Sequence, residues 1–462
     1  MRNYLYALDV PELQQRVLDN LVSDFLLGSV LLLMSAYGLY HLVKVWNVSL
    51  LPLSVLLPSF FGAGLILYVP LSPLYVRSDG EFYQRWGYSL AAAWLSGEPM
   101  DSPQSLWPGK GLWPLIIGGF TAIAGPVTIT LVVFNTLIIV LCAILLQKAT
   151  LLLSGKSPRW FTVIVFLSSS PFLLWGPSLL REALFWLGVA LGVLALSYAS
   201  VHRYRSASLA VALSALVLLG IRPDAGIVLI YGFVAMLIFL LGIVGRRRSS
   251  LRAVTTSLVL LSLVFSFPTA FEFARGGEVT GATILNSNKA LSADDVTTAF
   301  GAYSEPSEPS EPSELSQLSE PSEPWCESEF ALMSAGTAAL CHAAVNMPYA
   351  LFGPFYWEYS AEAIWLIAGA STLHFLVLVG FATYYLAISK GRRWPLLALL
   401  AVATASMLMF SSILTNYGIL IRFRAATEVM LIPLALSGAF ELLARWKSSR
   451  KQLDSSETPK NV

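Results

Sequence analysis

Charge is scarce in this chain of 462 residues. Only 12% are Asp, Glu, Lys or Arg, against about 25% in an ordinary soluble domain. That shortage excludes a soluble globular enzyme, and the 56% of hydrophobic residues excludes a disordered protein. The formal net charge of +1 gives no basic field of the kind that attracts nucleic acid. Three cysteines, Cys142, Cys326 and Cys341, are too few for a disulfide framework or a Cys-rich metal site. Cys326 and Cys341 are left as one pair that an oxidising compartment would permit. The four histidines, His41, His202, His342 and His374, show no metal spacing. His374 falls within an apolar run, where a hydrogen bond to a neighbouring helix is the simpler reading and a ligand role the sharper one. No cleavable signal peptide is evident, since the first long apolar run starts only at Phe25.

What is abundant is apolar sequence. A membrane-spanning helix needs about 20 such residues, and twelve apolar runs are present, at 24–44, 50–70, 113–125, 127–146, 159–177, 183–200, 206–221, 225–244, 253–270, 361–388, 394–413 and 427–444. The expected fold is all-α, a polytopic transmembrane bundle of about 11–13 helices. Residues 1–23 read as an amphipathic N-terminal segment. Residues 24–270 form a transmembrane core with a large loop at 71–112, 346–445 hold the C-terminal helices, and 446–462 form a cytoplasmic tail. The segment 271–345 holds 12 of the 28 acidic residues and, as basic ones, only Arg275 and Lys289. From Ser304 to Pro324 it repeats Ser-Glu-Pro-like triplets, which offer little to bury and suit a disordered, solvated spacer; an acidic docking arm is the other reading.

Basic clusters orient the spans. His202 to Arg205, Arg246 to Arg248 with Arg252, Lys390 to Arg393, and Arg445 to Lys451 sit at span ends and are expected on the cytoplasmic side. Lys148, Lys156 and Arg159 join them. Alternation then puts 176–182, 222–224, 271–345 and 414–424 outside. The run 113–125 is short. If it crosses, loop 71–112 is inside; if it is re-entrant, the loop is outside. Trp46, Trp113, Trp160, Trp357, Tyr359, Trp394 and Trp446 read as interface anchors.

Ionisable residues beside spans are costly, and so each is a functional candidate. Ser78-Asp79-Gly80-Glu81 precedes an amphipathic stretch to about Gly97 in which Phe82, Trp86 and Leu90 share a face. Asp79 and Glu81 are either carboxylates stabilised at a helix N-terminus, or a general base or divalent-cation pair. Arg181-Glu182 either flanks the interface or points into a polar cavity. Arg222-Pro223-Asp224 is either a hairpin turn or places Arg222 against a phosphate. Arg422 and Arg424 precede the last apolar run on the outer side, against the usual bias. They either pair with Glu428 or recognise phosphate through their guanidinium forks. The ionisable groups fall at span ends and the halves show no repeat, which disfavours a secondary transporter. A purely structural scaffold would leave the outer arginines unexplained.

This layout resembles the GT-C superfamily of integral membrane glycosyltransferases that use polyprenyl-phosphate sugars. The resemblance rests on Asp79, Tyr83, Ala92 and Gly97, then Pro108-Gly109 and Pro114, then the short run ending at Gly125. Pro171, Ser178 and Glu182, the Arg222-Pro223 hairpin, and Asn416-Tyr417-Gly418 followed by Arg422-Phe423-Arg424 extend it. Gly353-Pro354-Phe355-Tyr356-Trp357-Glu358 is similar to a Pro-Phe-x-Trp segment of related polysaccharide-cluster membrane proteins. Two apolar runs precede the first loop where many members have one, and the acidic neighbour of Asp79 is displaced by one residue.

The resemblance implies an inverting hexosyl or pentosyl transfer from a polyprenyl-phosphate sugar to a lipid-linked glycan, polysaccharide or protein acceptor. The expected setting is the extracytoplasmic face of the cell membrane, which favours loop 71–112 outside. It gives Asp79, with Glu81, the catalytic place and Arg181, Arg222, Arg422 and Arg424 the lipid phosphate. Glu182, Tyr83 and Asp224 support them. Some members hold Mg or Mn, for which Asp79 and Glu81 are the candidates; no other cofactor and no nucleic acid are implied. A lipid-linked glycan polymerase or flippase would also need outer arginines and is the alternative. Its key arginines would be expected in large outer loops, whereas the largest here is acidic.

Overall fold

The computed structural model describes residues 19–69, 80–97, 112–244, 347, 351, 362–389, 393–412 and 417–456. Among these residues the chain is helical, with no strand. The helices are α1 (Leu21–Trp46), α2 (Leu51–Tyr68), α3 (Gly80–Ser96), α4 (Leu112–Ala124), α5 (Ile129–Ser154), α6 (Arg159–Ser168), α7 (Ser170–Trp175), α8 (Glu182–Ser200), α9 (Tyr204–Ile221), α10 (Pro223–Val244), α11 (Glu362–Ile388), α12 (Arg393–Ser412) and α13 (Tyr417–Ser456). Seven are long and apolar enough to cross a membrane. The all-α polytopic bundle expected from the apolar runs is the fold observed. The acidic segment 271–345, the run 253–270, Cys326 and Cys341 lie outside the described residues.

A helix apolar on all sides suits either the middle of a bundle or a lipid-facing position in a membrane: α5, α8 and the membrane part of α13 are mostly buried, and α1 mostly faces outward. The α2 helix approaches α5 at Gly64, where a Cβ would stand 2.4 Å from Val132. The α5 helix ends at Gly155, whose φ of +75° places it in the left-handed region, a common helix stop that glycine adopts without strain.

Hydrogen bonds sort the chain between two ends of the bundle. A helix leaves its first N–H groups without intrahelical partners. In α5 these are met by Asp24, fully buried in α1: its carboxylate accepts from Thr128 N–H and Ile129 N–H at 2.7 Å each and from Thr130 N–H at 2.8 Å. The starts of α1 and α5 therefore share one end, called upper below. At the lower end Lys148 donates to the Trp46 carbonyl at 2.8 Å, and Gln147 accepts from Ser49 N–H at 3.1 Å. Lys156 pairs with Glu441 of α13 at 2.5 Å there as well. The α2 helix climbs back, so that Tyr68 hydroxyl donates to the Leu174 carbonyl.

The amphipathic stretch after Asp79 forms α3, as its spacing predicts. Its Gln84 donates to the Val127 carbonyl at 3.0 Å, and Tyr88 to the same oxygen at 3.1 Å. The short α4 packs along α3. Its first turn is tied by Trp113 to the Leu179 carbonyl at 3.0 Å, and its last carbonyl, of Ala124, accepts from the Asn20 side chain. Trp113 and Phe120 both meet the ring of Phe134 near the start of α5. Both ends of α4 thus lie at the upper end, and this helix does not cross. The two flanks of loop 71–112, Tyr68 and Leu112, share the end that carries 176–182. Trp113 is completely buried, so it is a core residue and not an interface anchor. Trp160 and Trp446 are exposed, as anchors are.

Candidate functional site: an arginine cluster at the upper end

The segment 176–181 is held rigid before α8 begins. Asn135 of α5 donates its side-chain amide to the carbonyls of Ser178 and, at 2.9 Å, Leu180. Trp113 holds Leu179 between them. Ser178 hydroxyl donates to the Trp175 carbonyl at 2.8 Å and accepts from Leu180 N–H at 3.2 Å. These bonds satisfy backbone groups that burial would otherwise leave costly. They fix the direction in which Arg181 and Glu182 leave the chain.

Glu182, the first residue of α8, is 1% exposed. A buried carboxylate persists only with compensating charge. Arg222, between α9 and α10, donates from Nη2 to Oε1 at 2.9 Å, and Arg422 of α13 reaches the same oxygen from Nη1 at 3.4 Å. Arg181 donates from Nη1 to the Ile221 carbonyl at 2.9 Å, which ties it to the residue before Arg222. Chain segments far apart in sequence thus bring three guanidinium groups together around one carboxylate.

Aromatic rings wall this cluster. Arg222 lies over Phe423 at 5.2 Å and Phe185 at 5.9 Å, Arg422 over Trp175 at 5.7 Å, and Arg181 over Tyr83 of α3 at 5.5 Å. Such rings attract cations most strongly where water is excluded. Trp186 donates to the Arg422 carbonyl at 3.4 Å. Guanidinium forks on a dry, aromatic floor are suited to the oxygens of a phosphate.

Of the residues singled out from sequence, Arg181, Glu182, Arg222, Arg422 and Tyr83 come together. Arg424 does not join them. The α13 helix starts at Tyr417, so both arginines lie within the last span rather than ahead of it. Two residues along a helix turn the side chain by about 200°, and Arg424, completely buried, donates to Thr372 of α11 at 2.8 Å. Its electrostatic partner is Glu428, the bland alternative raised by the spacing. Asp79 lies outside the described residues. Glu81 and Asp224 fall at the starts of α3 and α10, with side chains outside the described set. The carboxylate pair proposed for a cation lies outside it too. Among the described residues no three His, Cys, Asp or Glu side chains group as metal ligands.

Sequence reasoning placed His374 within a span, bonded to a neighbouring helix, as it is, but set the other ionisable groups at span ends, and here the structure corrects it. His374, Arg424 and Glu428 meet inside the bundle, where Glu428 is completely buried. The signal for this was present in Glu428, inside an apolar stretch, and in Pro171, which breaks the run 159–177 into α6 and α7. Asp24 was missed because it lies at the edge of its apolar run and its partners are about a hundred residues away.

No family model, no curated protein and no solved structure matches this chain.

Proposed function

We propose that this chain is an integral membrane glycosyltransferase that moves a sugar from a polyprenyl-phosphate donor to a lipid-linked glycan, polysaccharide or protein acceptor. The observation that carries the reading is the convergence of Arg181, Arg222 and Arg422 on buried Glu182 beneath Tyr83 of α3. Basic residues mark the opposite end: Lys148 and Lys156 on the α5 side, Arg203 between α8 and α9, and Arg205 in the first turn of α9. By the positive-inside rule they favour an extracytoplasmic site.

In this proposal the donor phosphate rests on the guanidinium groups. An acceptor hydroxyl attacks the anomeric carbon from the face opposite the phosphate. The bond from that carbon to the phosphate oxygen breaks, and the electron pair leaves with the polyprenyl phosphate. Arginines fixed in advance stabilise the charge that gathers there, usually the largest catalytic contribution. Glu182 holds the forks in place. A carboxylate takes the hydroxyl proton. Asp79 is assigned that role: it is four residues before Tyr83 in the chain, and Tyr83 stacks on Arg181. Glu81 is assigned to support it, alone or through a divalent cation held by the pair.

The test is Asp79→Asn in the native host, scored by surface-glycan composition at matched protein level beside a deletion strain. The mutant is expected to reproduce the glycan loss of the deletion. A changed glycan in the deletion with a normal glycan in Asp79→Asn would reject Asp79 as base. That outcome would favour the second reading, a polymerase or flippase; the broken α6–α7 segment, with charge inside the bundle, is a feature of secondary transporters.

A further inference from the structure

His374 of α11 lies between two oxygens. Its Nδ1 is 3.1 Å from Glu428 Oε2, and its Nε2 is 3.1 Å from the Val165 carbonyl of α6. A neutral imidazole has one N–H and one bare nitrogen. Facing two acceptors, the bare nitrogen would set its lone pair against an oxygen lone pair, whichever tautomer formed. One additional proton removes the conflict. On the ring, it lets His374 donate to both oxygens. On the carboxyl, it lets Glu428 donate to Nδ1 while Nε2–H donates to Val165. Ser169 hydroxyl donates to the same carboxyl oxygen at 3.2 Å in either case. Glu428 Oε1 has no hydrogen-bond donor among the described residues, and Glu428 is completely buried.

The charged group facing this pair is Arg424, one turn before Glu428 on α13, with its Nη1 on Thr372 of α11. The joint of α6 and α7 offers only Ser169 and the Val165 carbonyl. Among the described residues no carboxylate, amine or guanidinium of α5, α8 or α12 is bonded to the pair.

The pair sits where the chain breaks. Ser169 is extended (ψ 108°) between α6 and α7, and Pro171 lies in the first turn of the second segment. His374 bonds the Val165 carbonyl in the last turn of α6, and Glu428 holds the joint residue itself. The far end of α7 is Trp175, whose ring lies under Arg422.

We propose that His374 and Glu428 hold one proton between them inside the bundle, and that this proton clamps the α6–α7 joint and so sets the Trp175 floor beneath Arg422. The inference stands on the joint itself and does not depend on the reaction proposed above.

Two measurements on the full-length protein in lipid nanodiscs test it. The first is 15N-histidine spectroscopy at pH 7, with His374→Asn assigning the signal, combined with infrared detection of a protonated carboxyl that disappears in Glu428→Gln. Either a doubly protonated His374 or a protonated Glu428 is expected. A singly protonated His374 beside an ionised Glu428 overturns the proposal. The second is backbone hydrogen exchange over residues 166–176, corrected for intrinsic rates. His374→Ala is expected to speed exchange about tenfold, the loss of one charge-assisted bond; unchanged exchange overturns the clamp. Should that variant not fold, His374→Phe, which fills the same space without a donor, is measured instead; faster exchange is again expected, and unchanged exchange overturns the clamp.

Discussion

At the scale of single residues, the arginine cluster shows why a carboxylate persists in an apolar bundle. Glu182 is buried with Arg222 at 2.9 Å and Arg422 at 3.4 Å, and removing one partner of such a set costs more than the set contributes as a whole. Glu182→Ala is therefore expected to destabilise the protein by about 3–5 kcal/mol, read as a lower Tm in detergent. A Tm equal to wild type would mean that the guanidinium groups find other anions. Charge alone does not define the site, because Arg222 also covers Phe185 and Phe423. Arg222→Lys keeps the charge but loses the planar fork. It is expected to fold and to bind a polyprenyl-phosphate sugar at least tenfold more weakly in a direct binding assay; equal binding would reduce Arg222 to a counter-ion. Asp24 has a different task. Its three bonds complete the first turn of α5, and Asp24→Ala is expected to cost about 2 kcal/mol or more.

At the scale of elements, α4 is the piece that apolar length alone left undecided. Its 13 residues reach about 20 Å, short of a bilayer core of about 30 Å. The decisive contacts are Trp113 with Leu179 and Ala124 with Asn20. In a background without the native cysteines, single cysteines at Ser96 and Ala124 are expected to react with an impermeant reagent from the same side of the membrane, and one at Arg203 from the other. Labelling of Ser96→Cys and Ala124→Cys from opposite sides would show that α4 crosses. The broken α6–α7 segment was legible only as a proline in a long run. A break creates free carbonyls, and here that of Val165 meets Ser168 beside it and His374 from a helix distant in sequence.

At the scale of the whole molecule, three buried helices contribute to the clusters: α8 carries Glu182, α13 carries Arg422 and Glu428, and α5 pins the segment before α8, while His374 comes from α11 and Arg222 from between α9 and α10. The α13 helix links the two, with Arg422 at the upper site and Glu428 on the α6–α7 joint. A ligand that binds only the folded protein raises its stability by mass action, by about 2.7 kcal/mol at a hundred times Kd. A polyprenyl-phosphate sugar is expected to raise the Tm of wild type and to raise that of Arg422→Ala much less. Equal shifts in both would place the phosphate elsewhere.

The sequence by itself determined that the chain is a helical membrane bundle, where most spans fall, and that α3 is amphipathic. Each follows from local apolar length and period, which need no distant partner to be read. It also marked Arg181, Glu182, Arg222 and Arg422 as expensive and so worth explaining. Only the tertiary structure decided that these four converge, that Arg424 turns away to Thr372, and that Asp24, His374 and Glu428 are satisfied in the interior. The physical reason is that the cost of burying a charge is a property of the residue, whereas its compensation, apart from Arg424 with nearby Glu428, comes from partners forty to more than two hundred residues away, which only the packing of helices brings within reach.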